Sequence, residues 1–275
     1  MGVSAADFDY VREVVQADSA LALADGKEYL VETRLAPLAA SAGLATIGDL
    51  VAKLRSGAAD LRRAVVEALA THETQFFRDM HPFEALRTEV IPALLREDPT
   101  RRLTLWSAAA SGGQEAYSLA LLLREHFPDI SSPTILATDI SRAVLAQAEA
   151  GRFSQLEVNR GLPASLLVKH FDRAGLEWQL RDDVRRMVTF RQLNLAGPLT
   201  AVPRMDVIFL RNVLIYFNTE AKKALLERVG EVLRPGGLLF LGSAETTYGL
   251  DDRYERLEVA KSICYRLDPN RRDVP

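Results

Sequence analysis

The stretch Leu103–Ala120, LTLWSAAASGGQEAYSLA, decides the fold. It opens with a short apolar run, passes through small residues from Ser107 to Gly113, and continues with Ala116, Leu119, Ala120 and Leu123 at helical spacing. A strand, a small-residue turn and a helix in that order make the first half of a βαβ unit. Small side chains at such a turn let a nucleotide-like ligand approach the backbone, and the following helix N-terminus favours negative charge. A glycine pair after a strand also fits an ordinary tight turn.

Outward from this stretch the alternation continues. TILAT leads to Asp139, RAVLAQAEA follows, and MVTF, MDVIFL, AKKALLERVGEVL and GLLFL come later. This order predicts a mostly parallel sheet covered on both faces. RPGG (Arg234–Gly237) is expected to turn a helix into the strand LLFLG. The runs ERLEV and SICYRL have no helix between them, which predicts an antiparallel hairpin closing the sheet. Residues 152 to about 190 are too long for a simple connection and read as a small inserted β subdomain around LEWQL.

Upstream the texture is helical. Phe8, Val11, Val14 and Val15 share one face, as do Leu30, Val31, Leu35 and Leu38. Thr46 precedes a third run that ends at Gly57, and DLRRAVVEALA forms a fourth. The expected architecture is an α/β, Rossmann-like, mostly parallel sheet with an N-terminal helical domain over 1–75. The sheet domain is expected over 76–275.

Composition narrows the function classes. Hydrophobic residues make up 48% and charged residues 26%, with 34 Lys+Arg against 37 Asp+Glu and a net charge of -3. That balance gives no support for a nucleic-acid binder. The single cysteine, Cys264, excludes a cysteine-rich metal site and fits a reducing compartment. The beginning, MGVSAADFDYVREVV, lacks a basic region followed by an apolar core, and no apolar run reaches bilayer length. A cytoplasmic protein without membrane insertion is expected. His81, His126 and His170 have no partner at metal-like spacing, so no metal is expected.

Asp139 follows the second strand, where a carboxylate can accept both hydroxyls of a ribose diol. It could equally cap the next helix through Ser141. The first turn has no G-x-G-x-x-G, and the closing hairpin disfavours a dehydrogenase.

Two further stretches are more specific: THETQFFRD (Thr71–Asp79) and DVIFLRNVLIYF (Asp206–Phe217). With WSAAASGGQEAYS and GSAE (242–245), they resemble the CheR family of chemotaxis-receptor methyltransferases over nearly the whole chain. The resemblance implies transfer of the S-adenosylmethionine methyl to glutamate side chains of receptor cytoplasmic domains. The products would be γ-methyl esters and S-adenosylhomocysteine. It implies cofactor contacts at His72, Thr74, Arg78, Gly112, Glu115, Asp139, Asn194, Leu195, Leu210, Arg211 and Asn212, with Arg78 and Tyr216 placed at the chemistry. Phe76 and Phe77 are expected in the core. A glutamate carboxylate is already ionised at neutral pH, with a reference pKa of about 4.3, so no general base is needed.

Four positions depart from the family pattern. His72 stands where T-N-x-T has asparagine; Gly112 and Gln114 replace a threonine and a glutamate of S-T-G-E-E-P-Y-S, and Ala116 replaces its proline. These departures motivate an alternative, a cofactor-binding regulator of a chemosensory pathway with little or no catalysis. The helix that matches the family's basic docking helix carries Lys27 and Arg34 but also Glu28 and Glu32. The insert between Phe171 and Phe190 is short. A monomeric enzyme independent of a receptor C-terminal pentapeptide tether is therefore expected.

Overall fold

A computed structural model of the chain describes residues 3–130 and 132–268. Contacts divide it into two compact units. Residues through Thr71, with Asn194–Pro198 and Tyr216–Leu225, form the first; His72–Leu193, Leu199–Ile215 and the chain from Leu226 onward form the second.

The first unit is built on four helices: α1 (Ala5–Ser19), α2 (Glu28–Ser41), α3 (Ile47–Arg55) and α4 (Ala59–Leu69). The Ser4 hydroxyl caps α1 by accepting from the Asp7 N–H. Thr46 and Asp49 form a reciprocal capping box on α3, and Gly57 lies just beyond it with φ +90°. Each cap satisfies backbone donors that a helix start leaves open. The helical stripes meet in a core of Val11, Val15, Val31, Leu35, Leu50 and Val65, all fully buried. Burying each such side chain contributes about 1.5–3 kcal/mol. Arg62 fixes Asp18 of α1 with two hydrogen bonds, at 2.5 and 2.7 Å. Arg34 on α2 donates to the carbonyls of Leu69 and Ala70 at 2.7 and 2.8 Å and to the Thr71 hydroxyl at 3.2 Å. It closes the end of α4, whose last carbonyls have no helical partner. Part of the apparent basic face of α2 is thus an internal tie.

The second unit begins with α5 (His81–Ala85), a π-turn at Leu86–Val90 and α6 (Ile91–Glu97). Then come β1 (Thr104–Ala108), α7 (Gln114–His126), β2 (Thr134–Asp139) and α8 (Arg142–Ala150). The insert supplies β3 (Arg152–Ser154), α9 (Gln155–Asn159), α10 (Ala164–His170), β4 (Phe171–Ala174) and β5 (Glu177–Leu180). After α11 (Asp182–Arg185) the chain returns through β6 (Val188–Gln192) and β7 (Met205–Leu210). Helix α12 (Thr219–Val232) starts in the first unit and ends in the second, and β8 (Leu233–Leu241), β9 (Tyr254–Val259) and β10 (Ser262–Leu267) follow.

The main sheet has the order β6-β2-β1-β7-β8-β10-β9. Strands β6 to β8 pair in parallel, and β10 runs antiparallel to both β8 and β9. Every residue of β1 and β7 is buried, as two covered faces require. The chain order reverses between β1 and β7, which sets a crevice at the carboxyl edge there.

RPGG behaves differently from its sequence expectation. Strand β8 already starts at Leu233, which pairs with Met205, whereas Val207 pairs with Leu238. The extra residues bulge out inside the strand instead of preceding it. Gly237 fits because a Cβ there would sit 2.9 Å from the Arg234 oxygen and 3.0 Å from that of Asp206.

The insert forms a three-stranded antiparallel sheet, β3-β5-β4. It is seated by an edge-to-face aromatic cluster of Phe76, Phe153, Phe171 and Tyr117. Phe76 is fully buried and Phe77 is 8% exposed, both in the core as expected.

Candidate cofactor and active site

Strand β1 ends at Ala108, and the turn that follows is held in an unusual conformation. Ala109, Ser111 and Gly113 have φ of +57°, +50° and +88°. Two of these are non-glycine residues, each costing about 1–2 kcal/mol in the left-handed region. Gly113 is confined as well: a Cβ there would lie 3.0 Å from the Ala148 Cβ. The Asp139 carboxylate at the end of β2 offsets the strain. Its Oδ2 accepts from the Ser111 N–H at 2.9 Å and its Oδ1 from the Ser141 N–H at 3.0 Å. The cap of α8 is Ser141, whose hydroxyl accepts from the Val144 N–H. Asp139 therefore does more than start a helix: it fastens the first turn to the second strand.

His72 stands beside this carboxylate, its Nδ1 3.6 Å from Asp139 Oδ1. Its Nε2 is buried without a hydrogen-bond partner. Gln114 Oε1 is likewise buried and unpartnered, and a Cβ on Gly112 would fall 2.7 Å from it. Two of the four departures are thus in direct register: the missing side chain at Gly112 leaves the space into which Gln114 folds back.

A second cluster surrounds Arg211 at the end of β7. Its side chain is 1% exposed. Nη1 donates to Glu115 Oε2 at 3.0 Å, and Nη2 donates to Asp79 Oδ2 at 2.6 Å and to the Arg78 carbonyl at 2.9 Å. The rings of Phe83 and Phe209 flank the guanidinium at 5.9 and 5.8 Å. Glu115 also accepts from the Ser107 hydroxyl at 2.7 Å, so both of its oxygens have protein partners. Charge-assisted bonds of this kind make Arg211 a buried hub rather than a free ligand.

The Arg78 carbonyl sits in a further strained turn. Phe77, Asp79 and Met80 have φ of +46°, +66° and +49°. The Ser118 hydroxyl accepts from the Phe77 N–H at 2.9 Å and pins the turn to α7. The Arg78 guanidinium reaches only the Glu73 carbonyl, at 3.4 Å, and makes no ion pair among the described residues. Thr74, four residues before it, is half-buried.

Asn212 follows with φ +59° and a buried Oδ1 without a partner. Glu245 holds its backbone. The carboxylate accepts from the N–H groups of Asn212 (2.8 Å), Gly242 (2.7 Å) and Ile215 (3.3 Å). GSAE was conspicuous in the sequence, but nothing there showed that its glutamate serves three amides. Leu210 is fully buried just before Arg211.

His72, Thr74, Arg78, Gly112, Glu115, Asp139, Leu210, Arg211 and Asn212 thus belong to the sheet unit, whereas Asn194, Leu195 and Tyr216 group with the helical unit. The Asn194 amide donates to the Asp18 carbonyl, and its Oδ1 accepts from the Ala196 N–H. The Tyr216 carbonyl accepts from Ala22 N–H, while its half-exposed side chain has no hydrogen-bond partner among the described residues. No group of three or more His, Cys, Asp or Glu suited to a metal occurs among the described residues.

Strained turns, orphaned polar atoms and a buried carboxylate at adjoining strand ends define a small-molecule cofactor site of the open α/β kind. The comparisons specify the cofactor. Residues 72–263 match the family model "CheR methyltransferase, SAM binding domain", and residues 6–70 match "CheR methyltransferase, all-alpha domain". The chain is an S-adenosylmethionine-dependent methyltransferase.

It belongs to the CheR family. Chemotaxis protein methyltransferase 1 of Pseudomonas aeruginosa is 38% identical over 97% of this chain and 99% of its own length. Chemotaxis protein methyltransferase Cher2 of Pseudomonas putida is 37% identical over 94% and 97%. The chemotaxis protein methyltransferase of Vibrio parahaemolyticus is 38% identical over 92% and 94%.

Proposed function

We propose that this enzyme methylates glutamate side chains of chemoreceptor cytoplasmic domains, giving γ-methyl esters in chemotactic adaptation. The observation that carries the reading is the near full-length likeness to chemotaxis protein methyltransferases, in both the helical and the cofactor-binding regions. The residues at the strand ends fit the cofactor. Asp139 offers remaining acceptor capacity for a ribose diol, and the unpartnered His72 Nε2 and Asn212 Oδ1 offer one further polar contact each. Thr74, Gly112 and Leu210 supply the remaining contacts from the sheet unit. Glu115 and Arg211 hold each other, and Glu115, with one bond on each oxygen, keeps acceptor capacity toward the cofactor as Asp139 does.

When bound, S-adenosylmethionine supplies an electrophilic methyl group. The chain's own work is alignment and exclusion of water, since the acceptor carboxylate needs no base. Arg78, beside the site, has no ion-pair partner among the described residues, which suits it to orienting a carboxylate. The Tyr216 hydroxyl, equally without a hydrogen-bond partner among the described residues, positions the acceptor. We further propose that helical residues 1–75 present the receptor to a catalytic domain formed by 76–275. The enzyme acts as a cytoplasmic monomer, without a metal and without a pentapeptide tether.

The test uses radiolabelled S-adenosylmethionine and receptor cytoplasmic fragments. Alkali-released methanol is expected with the wild-type enzyme. Its absence, with the cofactor still bound, would leave a non-catalytic regulator. Arg78→Ala and Tyr216→Phe should each lower turnover by about 10²-fold or more at saturating cofactor; wild-type turnover in both would remove those roles.

A further inference from the structure

A cavity of about 320 Å³ opens at the carboxyl end of β8, beside the β9–β10 hairpin. Its wall includes two acids, Asp79 and Glu245, and three basic side chains, Arg256, Lys261 and His81. The acids are already engaged, Asp79 by Arg211 and Glu245 by three backbone amides. The bases are not. Arg256 and Lys261 are exposed and make no ion pair or side-chain hydrogen bond among the described residues. Glu258, two positions from Arg256 along β9, pairs with neither. Ser243 and Thr246 add hydroxyls to the same wall. The lining is formally balanced but presents positive charge to an incoming group.

The hairpin presents this charge at a conformational cost. Strands β9 and β10 are joined by only Ala260 and Lys261, with φ of +46° and +64°. Two-residue turns of this hand favour asparagine and glycine, since both positions need positive φ. A lysine is a poor choice for the turn but a good one for carrying an ammonium to the cavity mouth. The cavity is also wired to the cofactor turn, because Asp79 shares Arg211 with Glu115.

We propose that this cavity docks an acidic side chain of the protein being methylated, a carboxylate neighbouring the acceptor on the same segment. The inference rests on the receptor-glutamate reading given above. It also answers a gap in that reading. Helix α2 matches the position of the family's basic docking helix, but its Arg34 is tied to the end of α4 and Glu28 and Glu32 lie on the same helix. Lys27 beside Tyr29 is what remains there. Exposed cations at an open mouth suit rim pairing with a partner's carboxylates, which steers encounter and is weakened by salt.

The test is fluorescence anisotropy with a labelled, glutamate-rich peptide from a receptor methylation segment, using the full-length enzyme. Lys261→Gly relaxes the hairpin as it removes the charge, so the Lys261→Gly/Arg256→Gln double variant should keep its melting temperature and its affinity for S-adenosylmethionine. Its Kd for the peptide should rise about tenfold at low salt, and its KM for a receptor fragment should rise with kcat kept. Peptide binding equal to wild type in the double variant overturns the proposal, as does loss of binding in Lys27→Gln alone. Because anisotropy needs no methyl transfer, a wild-type enzyme that forms no ester would defeat the receptor-glutamate reading while the binding result still decided the cavity.

Discussion

The turns after β1 and after β7 use the same device for different ends. Each contains non-glycine residues with positive φ: Ala109 and Ser111 in the first, Asn212 in the second. Each is held by a carboxylate that accepts backbone N–H groups from two places in the chain. Asp139 serves Ser111 and Ser141; Glu245 serves Asn212, Gly242 and Ile215. The difference is saturation. Three amides occupy most of what Glu245 can accept, whereas Asp139 keeps capacity beside an unpartnered histidine nitrogen. A carboxylate whose acceptors are filled by backbone is scaffolding, and one with acceptors to spare at a strand end is suited to a ligand.

Arg211 links the two turns, and its loss should have the largest effect. Arg211→Met leaves Glu115 and Asp79 without their shared cation. Uncompensated buried charge costs about 3–5 kcal/mol. Urea unfolding should show a loss of that order, together with loss of cofactor binding. A change under about 1 kcal/mol would mean the hub is dispensable and the two turns independent.

The comparison itself is sharpened by Asp139→Asn against Glu245→Gln. Each puts an NH₂ where backbone donors need an acceptor, at about 1–3 kcal/mol. Glu245→Gln should lose stability in full, and cofactor affinity by no more than a few-fold. Asp139→Asn should lose about 10²-fold in cofactor affinity by calorimetry for a smaller loss of stability. The reverse ranking would break the distinction between scaffold and ligand carboxylate.

The smallest effect concerns the departures inside the first turn. Gly112→Ala brings a Cβ to 2.7 Å from Gln114 Oε1, so the glutamine must swing away. The cost should be about 1 kcal/mol by thermal unfolding. The Gly112→Ala/Gln114→Ala pair should cost less than the sum of the single changes, because the clash then has only one partner left. Strict additivity would show that the two positions changed independently.

Much of the fold was legible in the sequence, for definite reasons. The helical stripes of α1 to α4 and the buried runs of β1 and β7 follow from period and length. Thr46 announced the start of α3, and two consecutive strands without a helix announced the hairpin. RPGG was the local exception, since a glycine pair marks a bulge and a turn equally well.

The sequence named candidate site residues by type and position, through three motifs, but not their partnerships. Sequence alone determined a parallel sheet with a closing hairpin, a helical region before it, and the family, because burial pattern and motif spacing are local properties of the chain. It could not show that Arg211 is bound to Asp79 across 132 residues, that Glu245 serves three amides, or that Arg34 belongs to the end of α4. Nor could it show that Arg256 and Lys261 reach the same cavity as Asp79. Hydrogen bonds and ion pairs depend on angstrom-scale approach between distant segments, and only the packed tertiary structure fixes which charges are neutralised and which remain to meet a ligand.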